Sequence, residues 1–120
     1  VQISQKCQYA VRALYELAKR QGEGPVAVAQ IAEAQAIPPR FLEVILQELR
    51  AQGWIRSRRG AQGGYQFVAD PAEVSVASII RLVDGTLAPV HCTADRNELN
   101  CPLHGRCAFM GMWRRAQEAV

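Results

Sequence analysis

The sequence contains no run of about 18 apolar residues, so no transmembrane helix is expected. Its first residues, Val1-Gln2-Ile3-Ser4-Gln5-Lys6, include a lysine but no apolar stretch behind it. That is not a secretory signal, and the cytoplasm is the expected location. Internal repeats and low-complexity tracts are absent. No Gly-Lys-Ser/Thr follows the glycines, which excludes a Walker-type phosphate loop. Histidine is scarce: His91 and His104 are the only two, and both lie among cysteines. With no nucleophile–base pair at helical spacing, an enzyme is not expected.

What is present describes one small folded unit. Of 120 residues, 49% are hydrophobic and 21% charged, ordinary values for a globular domain and too apolar for disorder. The net charge of +3 is unevenly placed. Residues 1–60 hold nine Lys/Arg against five Asp/Glu, whereas residues 61–120 hold five against six. The densest basic group is Arg56, Arg58 and Arg59. A localised basic patch suits a polyanion partner, although charge alone fits a merely solvated face as well.

The spacing predicts a first helix from Ser4 to Gln21, capped by Ser4, with Val11, Leu14, Tyr15 and Ala18 on its apolar face. Gly22-Glu23-Gly24-Pro25 breaks it. A short helix follows over Val28–Ala34, then a third from Pro38-Pro39 to Gln52, with Gly53 as its stop. Phe41, Leu42, Ile45, Leu46 and Leu49 of the third helix face inward; Arg40, Glu43, Gln47 and Arg50 face outward. Two short alternating runs, Trp54–Arg58 and Tyr65–Val68, flank a glycine-rich loop and predict a β-hairpin. Ser75 caps a fourth helix, Val76–Val83, whose inward residues are Ile79, Ile80 and Val83. A last amphipathic stretch starts near Cys107 with Phe109, Met110, Trp113 and Ala116 on one stripe. It reaches Val120 without a stop signal, so the natural chain is expected to continue.

Helix, short helix, turn, helix and hairpin is the order of a winged helix-turn-helix, a mainly α fold with a small β-hairpin. A helix fits the DNA major groove, and its first turn reaches base edges. Arg40 and Glu43 lie three apart, on one face near that end; Arg can pair with guanine and Glu can accept from cytosine. Gln47 is one turn further on. Arg58 and Arg59 stand at the hairpin tip beside Gly60, Gly63 and Gly64, where missing side chains permit close backbone approach. The candidate DNA-contacting set is Ser4, Pro39, Arg40, Glu43, Gln47, Arg58, Arg59, Gly60 and Gly63. Taken singly, each residue also fits a bland role in turn geometry or on a solvated surface.

Cys92, Cys101 and Cys107 form a C-x8-C-x5-C group in a polar segment, with Cys7 apart from them on the first helix. Buried structural cysteines belong on apolar faces, so packing does not explain these three. A disulfide suits an oxidising compartment rather than the cytoplasm. Structural zinc, with His104 or His91 completing the ligands, normally uses tighter cysteine pairs. An iron–sulfur cluster, held by three thiolates and one further ligand, and a metal-free thiol switch both fit the residues.

The segments Ile3-Ser4, Tyr9-Ala10-Val11-Arg12-Ala13-Leu14, Ile37-Pro38-Pro39-Arg40-Phe41-Leu42-Glu43, Arg59-Gly60-Ala61-Gln62-Gly63-Gly64-Tyr65 and Val83-Asp84-Gly85 resemble the Rrf-two family of winged-helix transcription regulators. The resemblance runs over essentially the whole chain, and the Arg-Gly-x-x-Gly-Gly-Tyr wing is its most specific part. It implies a homodimer that binds double-stranded operator DNA through Arg40, Glu43 and Arg59. It further implies a winged-helix domain over 1–85, a cluster-binding loop over 86–106 and the start of a dimerisation helix over 107–120. Cys92, Cys101 and Cys107 would then hold an iron–sulfur cluster, four-iron in preference to two-iron, that tunes DNA affinity. Met110 stands where the cluster-assembly regulators have a histidine ligand. The fourth-ligand candidates are therefore Cys7, Gln8, His91 and His104. The alternatives are a DNA-binding regulator with structural zinc or bare thiols, and a cluster-handling protein that does not bind DNA.

Overall fold

The computed structural model describes residues 2–85 and 107–119. Among these residues five helices and one hairpin follow in order: α1 (Gln5–Lys19), α2 (Val28–Gln35), α3 (Pro39–Arg50), β1 (Ile55–Arg58), β2 (Gly64–Phe67), a 3-10 turn (Pro71–Glu73), α4 (Val76–Asp84) and α5 (Met110–Ala119). This is the mainly helical, winged arrangement that the sequence predicts. None of the described helices is long and apolar enough to cross a membrane. Cys92, Cys101, His91 and His104, with the rest of the expected 86–106 loop, lie outside the described residues.

Helices α1 and α4 start where a serine hydroxyl satisfies a free N–H group. Ser75 Oγ accepts from Ser78 N at 3.0 Å to begin α4. Ser4 Oγ accepts from Cys7 N at 3.1 Å to begin α1. A reciprocal capping box would place a glutamate at residue 7 to accept the Ser4 N–H, but α1 has no acid in its first turn. Asp84, the last residue of α4, supplies that carboxylate. Its Oδ2 accepts from Ser4 N at 3.0 Å, and its Oδ1 accepts from the Ser4 hydroxyl at 2.5 Å.

The core is built around α1, which packs on α2, α3, α4 and β2. Cys7, Ala10, Ala13, Leu14 and Leu17 of α1 are buried with Ile31, Leu42, Ile45, Leu46, Leu49, Ile55, Phe67, Ile79 and Ile80. Two residues expected inside are not: Tyr15 is 61% exposed and Phe41 is 38% exposed. The buried face of α1 is centred on its alanines, which let neighbouring helices come close, and this turns Tyr15 outward. Phe41 instead packs edge-on against Tyr9, with ring centroids 5.6 Å apart. In α5 no residue is buried. Its predicted stripe survives at Met110, Trp113 and Ala116, which are half-buried, while Phe109 is exposed.

Composition gave no sign of Glu16, a carboxylate with 1% exposure in the middle of α1. It accepts from Gln35 Nε2 at 2.9 Å and Arg20 Nε at 2.5 Å, and Lys19 Nζ lies 3.3 Å away. The Gln35 and Arg20 hydrogen bonds, reinforced by Lys19, outweigh burial and hold the carboxyl at about 2, below its ordinary 4.5. The group therefore adds stability above the unfolded value, and that stability is lost as pH falls from 4.5 toward 2. Glu16→Ala should cost about 2–3 kcal/mol at neutral pH in urea denaturation. The gap to the parent should narrow between about pH 5 and pH 3. A pH-independent gap would mean that Glu16 contributes only packing.

Candidate nucleic-acid interface

Helix α3 is held on three sides. Leu42, Ile45, Leu46 and Leu49 anchor its inner face in the core. Lys6 Nζ of α1 lies 2.7 Å from Glu48 Oε2, and Arg50 Nη1 donates to Ser57 Oγ of β1 at 3.0 Å. The turn into α3 is fixed from below. Ala36 ends α2 in the left-handed conformation, φ 52°, without being glycine. Arg12 of α1 donates to the carbonyls of Gln35 and Ala36, and its guanidinium sits 5.1 Å above the Tyr9 ring. A strained Ala36 persists because this clamp over-determines it.

With its inner face anchored, α3 presents Pro39, Arg40, Glu43, Val44 and Gln47 outward, all of them exposed. Arg40, Glu43 and Gln47 thus stand together as the sequence predicts, along the first two turns.

The hairpin pairs Ile55 with Phe67 and Arg58 with Gly64. It is tied to the rest of the domain by a backbone bridge. Val26 N donates to Tyr65 O at 2.7 Å, and Tyr65 N donates to Val26 O at 2.9 Å. That approach leaves no space at residue 64, where a Cβ would fall 2.1 Å from Val26 O. A Cβ on Gly63 would fall 2.2 Å from Arg58 O. Gly63 and Gly64 therefore make room for the protein's own backbone rather than for a ligand. Gly60, with φ 110° and nothing within 4 Å of its would-be Cβ, is open on its outer side.

Between α3, the wing and the start of α2 lies a polar cleft of about 490 Å³, lined by Val28, Gln47, Arg50, Arg58, Arg59 and Gly60 among others. Three arginines and a helix N-terminus make it suited to the phosphate groups of a polyanion backbone. Arg50 belongs to this group although the sequence marked it only as outward; the signal lay in its place one turn beyond Gln47.

Ser4 stands apart. Its amide and hydroxyl hydrogens both go to Asp84, and its oxygen caps α1. As built, its role is structural.

The described cysteines differ in chemistry. Cys107 is free and half-buried just ahead of α5. Cys7 is fully buried, and burial, with the Asp84 carboxylate adding to it, pushes its thiol up. A raised value opposes the thiolate, the form that binds a metal. Gln8 is exposed, and its side-chain nitrogen donates to Ile3 O at 3.1 Å. Among the described residues no three His, Cys, Asp or Glu side chains are gathered around one point.

Comparison with known proteins gives consistent matches. The model of the Rrf2 family, described as an iron-dependent transcriptional regulator, matches residues 3–120. A helix-turn-helix transcriptional regulator of Mycobacterium tuberculosis is 42% identical over 90 residues, 75% of this chain and 56% of that protein. The chain thus spans little more than half of that relative's length. The regulator IscR of Serratia proteamaculans is 32% identical over all 120 residues and 71% of its own length. The structure of CymR, described as the global cysteine regulator of B. subtilis, superposes with a TM-score of 0.80 at 32% identity, covering 100% of this chain and 86% of that one. These relatives are named as regulators, not enzymes.

The two kinds of wing glycine can be separated by experiment. Gly64→Ala should destabilise the domain by more than about 2 kcal/mol in chemical denaturation. Gly60→Ala should cost roughly 1–2 kcal/mol, from backbone strain alone. Equal costs would remove the claim that residue 64 is set by the Val26 bridge.

Proposed function

The chain belongs to the Rrf2 family of transcriptional regulators, and from that premise we propose that it binds double-stranded operator DNA as a homodimer in the cytoplasm. The observation that carries this reading is the placing of Gln47 and Arg50 of α3 and the arginines of the wing on one cleft. Arg40, Glu43 and Gln47 enter the major groove and read base edges. Arg58 and Arg59 reach the flanking backbone or minor groove from the wing, with Gly60 allowing close approach. Arg50 serves the phosphates between them. Helix α5 supports pairing of two copies: no residue of it is buried, while Phe109 just ahead of it and Met112 on it are 61% and 49% exposed.

Iron is the regulatory signal this reading favours. Cys92, Cys101 and Cys107 would hold an iron–sulfur cluster, with Cys7, Gln8, His91 or His104 as candidates for a fourth ligand. Such a cluster, when bound, supplies iron–thiolate bonds that respond to iron supply and oxidants. The chain's own part is to connect that segment to the reading head. Cys107 lies directly before α5. Asp84, directly before the cysteine-bearing segment, grips Ser4 at the head of α1, and α1 braces α3 through Lys6–Glu48. A change in the segment thus has a short route to α3 and to the spacing of the two heads, which must match half-sites about 34–36 Å apart. A second reading, regulation without iron, through bare thiols or structural zinc, is favoured by the superposition of the whole chain on CymR, which is described as a cysteine regulator.

Arg59→Ala should weaken DNA binding across all sequences and lower the slope of log affinity against log salt by about 1. Arg40→Ala should relax preference at one base position, by about 1–3 kcal/mol. Fluorescence titrations with operator and scrambled duplexes measure both, and unchanged values in both variants would refute the assignment. Anaerobic purification with visible absorption and quantified iron, sulfide and zinc separates the two regulatory readings. Matched iron and sulfide support the cluster and give its size. Protein that takes up no cluster on reconstitution, with its thiols free or zinc-bound, supports the second reading.

A further inference from the structure

The outward face of α3 carries one aliphatic residue that the core does not use. Val44 is 51% exposed. It sits four residues after Arg40 and three before Gln47, so these two side chains flank it on the helix surface. The buried face of α3 is filled by Leu42, Ile45, Leu46 and Leu49 without it. Single exposed apolar residues are common and need no explanation by themselves. The position of this one is what matters. Tyr15 and Val76, also exposed, line a separate apolar hollow with residues of α1 and α4, and Phe41 rests against Tyr9. Val44 lines no part of that hollow and stands on the outward side of α3, beside Arg40 and Gln47. A β-branched residue is also a poor choice for a solvated helix position, where straight-chain or alanine side chains lose less rotamer freedom.

The major-groove edge of DNA has only one apolar group, the 5-methyl of thymine, and small apolar side chains recognise it by contact. We propose that Val44 is a specificity-determining residue that reads a thymine methyl, at a base pair beside those contacted by Arg40 and Glu43. The inference rests on the DNA-binding reading above and adds to it the chemistry of one base position. It also accounts for Val44 standing among polar groups. A charged or amide side chain there would demand a hydrogen-bonding base edge, whereas valine accepts only the methyl and excludes water from it.

The test uses the full chain and two random-core duplex libraries, one made with thymine and one with uracil, which lacks only the methyl. Rounds of selection on each give the preferred sequences. Binding is then titrated on the selected duplex and on copies carrying a single uracil in place of thymine. The parent protein should lose about fourfold in affinity at one thymine, the worth of one buried methyl, and should lose its preference there in the uracil library. Val44→Ala should bind thymine and uracil duplexes alike at that position. Val44→Thr, which keeps a methyl, should retain the discrimination. Both substitutions are at an exposed site, and an unchanged melting temperature confirms that the fold is intact. Equal affinity of the parent for thymine and uracil at every position, or discrimination that persists in Val44→Ala, would overturn the inference while leaving DNA binding in place. Failure to enrich any sequence from either library would overturn both.

Discussion

Two backbone hydrogen bonds between Val26 and Tyr65 determine where the wing stands relative to α3. A two-stranded hairpin alone is marginally stable in water and free to swing. Here its second strand is joined to the chain just ahead of α2, and the joint closes only because residue 64 has no side chain to obstruct the Val26 carbonyl. Arg50–Ser57 ties the other strand to α3. The hairpin is thus attached both to α3 and to the start of α2, the same two elements that wall the basic cleft. Arginine positions that would otherwise wander are carried on a rigid edge, so less conformational entropy is lost when they engage a partner.

Local chemistry made much of this architecture readable in advance. Ser4 and Ser75 start helices where a hydroxyl can accept a backbone N–H, and Gly53 and Gly85 follow helix ends. The outward set Arg40, Glu43 and Gln47 followed from period alone. What escaped the sequence depended on partners distant along the chain. Tyr15 and Phe41 were expected inside because period and hydrophobicity report a helix's own stripe, not the shape that covers it. Glu16 was not singled out because its burial depends on Gln35, on a different helix. Gly63 and Gly64 were read as openings for a ligand; only the fold shows that Arg58 and Val26 carbonyls occupy that space. The burial of Cys7 and its proximity to Asp84, which together disfavour its thiolate, likewise depend on the fold.

Helix α1 emerges as the integrating element. It presents alanines to its neighbours, donates Arg12 to the turn before α3, reaches α3 through Lys6 and holds the buried Glu16. A helix with so many obligations to others tolerates little rotation about its axis. Any signal that shifts its first turn is felt at α3 rather than absorbed locally, because packed interiors transmit displacement instead of yielding to it.

The Ser4–Asp84 pairing joins residues 80 positions apart. Chains are synthesised at about 5–20 residues per second, so the partners are made roughly 4–16 s apart. Throughout that interval the head of α1 has only its own serine as a cap, and the carboxylate that completes it does not yet exist. Helix α1, made before the other described helices, is therefore among the last of them to be finished, and closure of its N-terminus marks the moment when the entire reading head, from α1 to the end of α4, has come together.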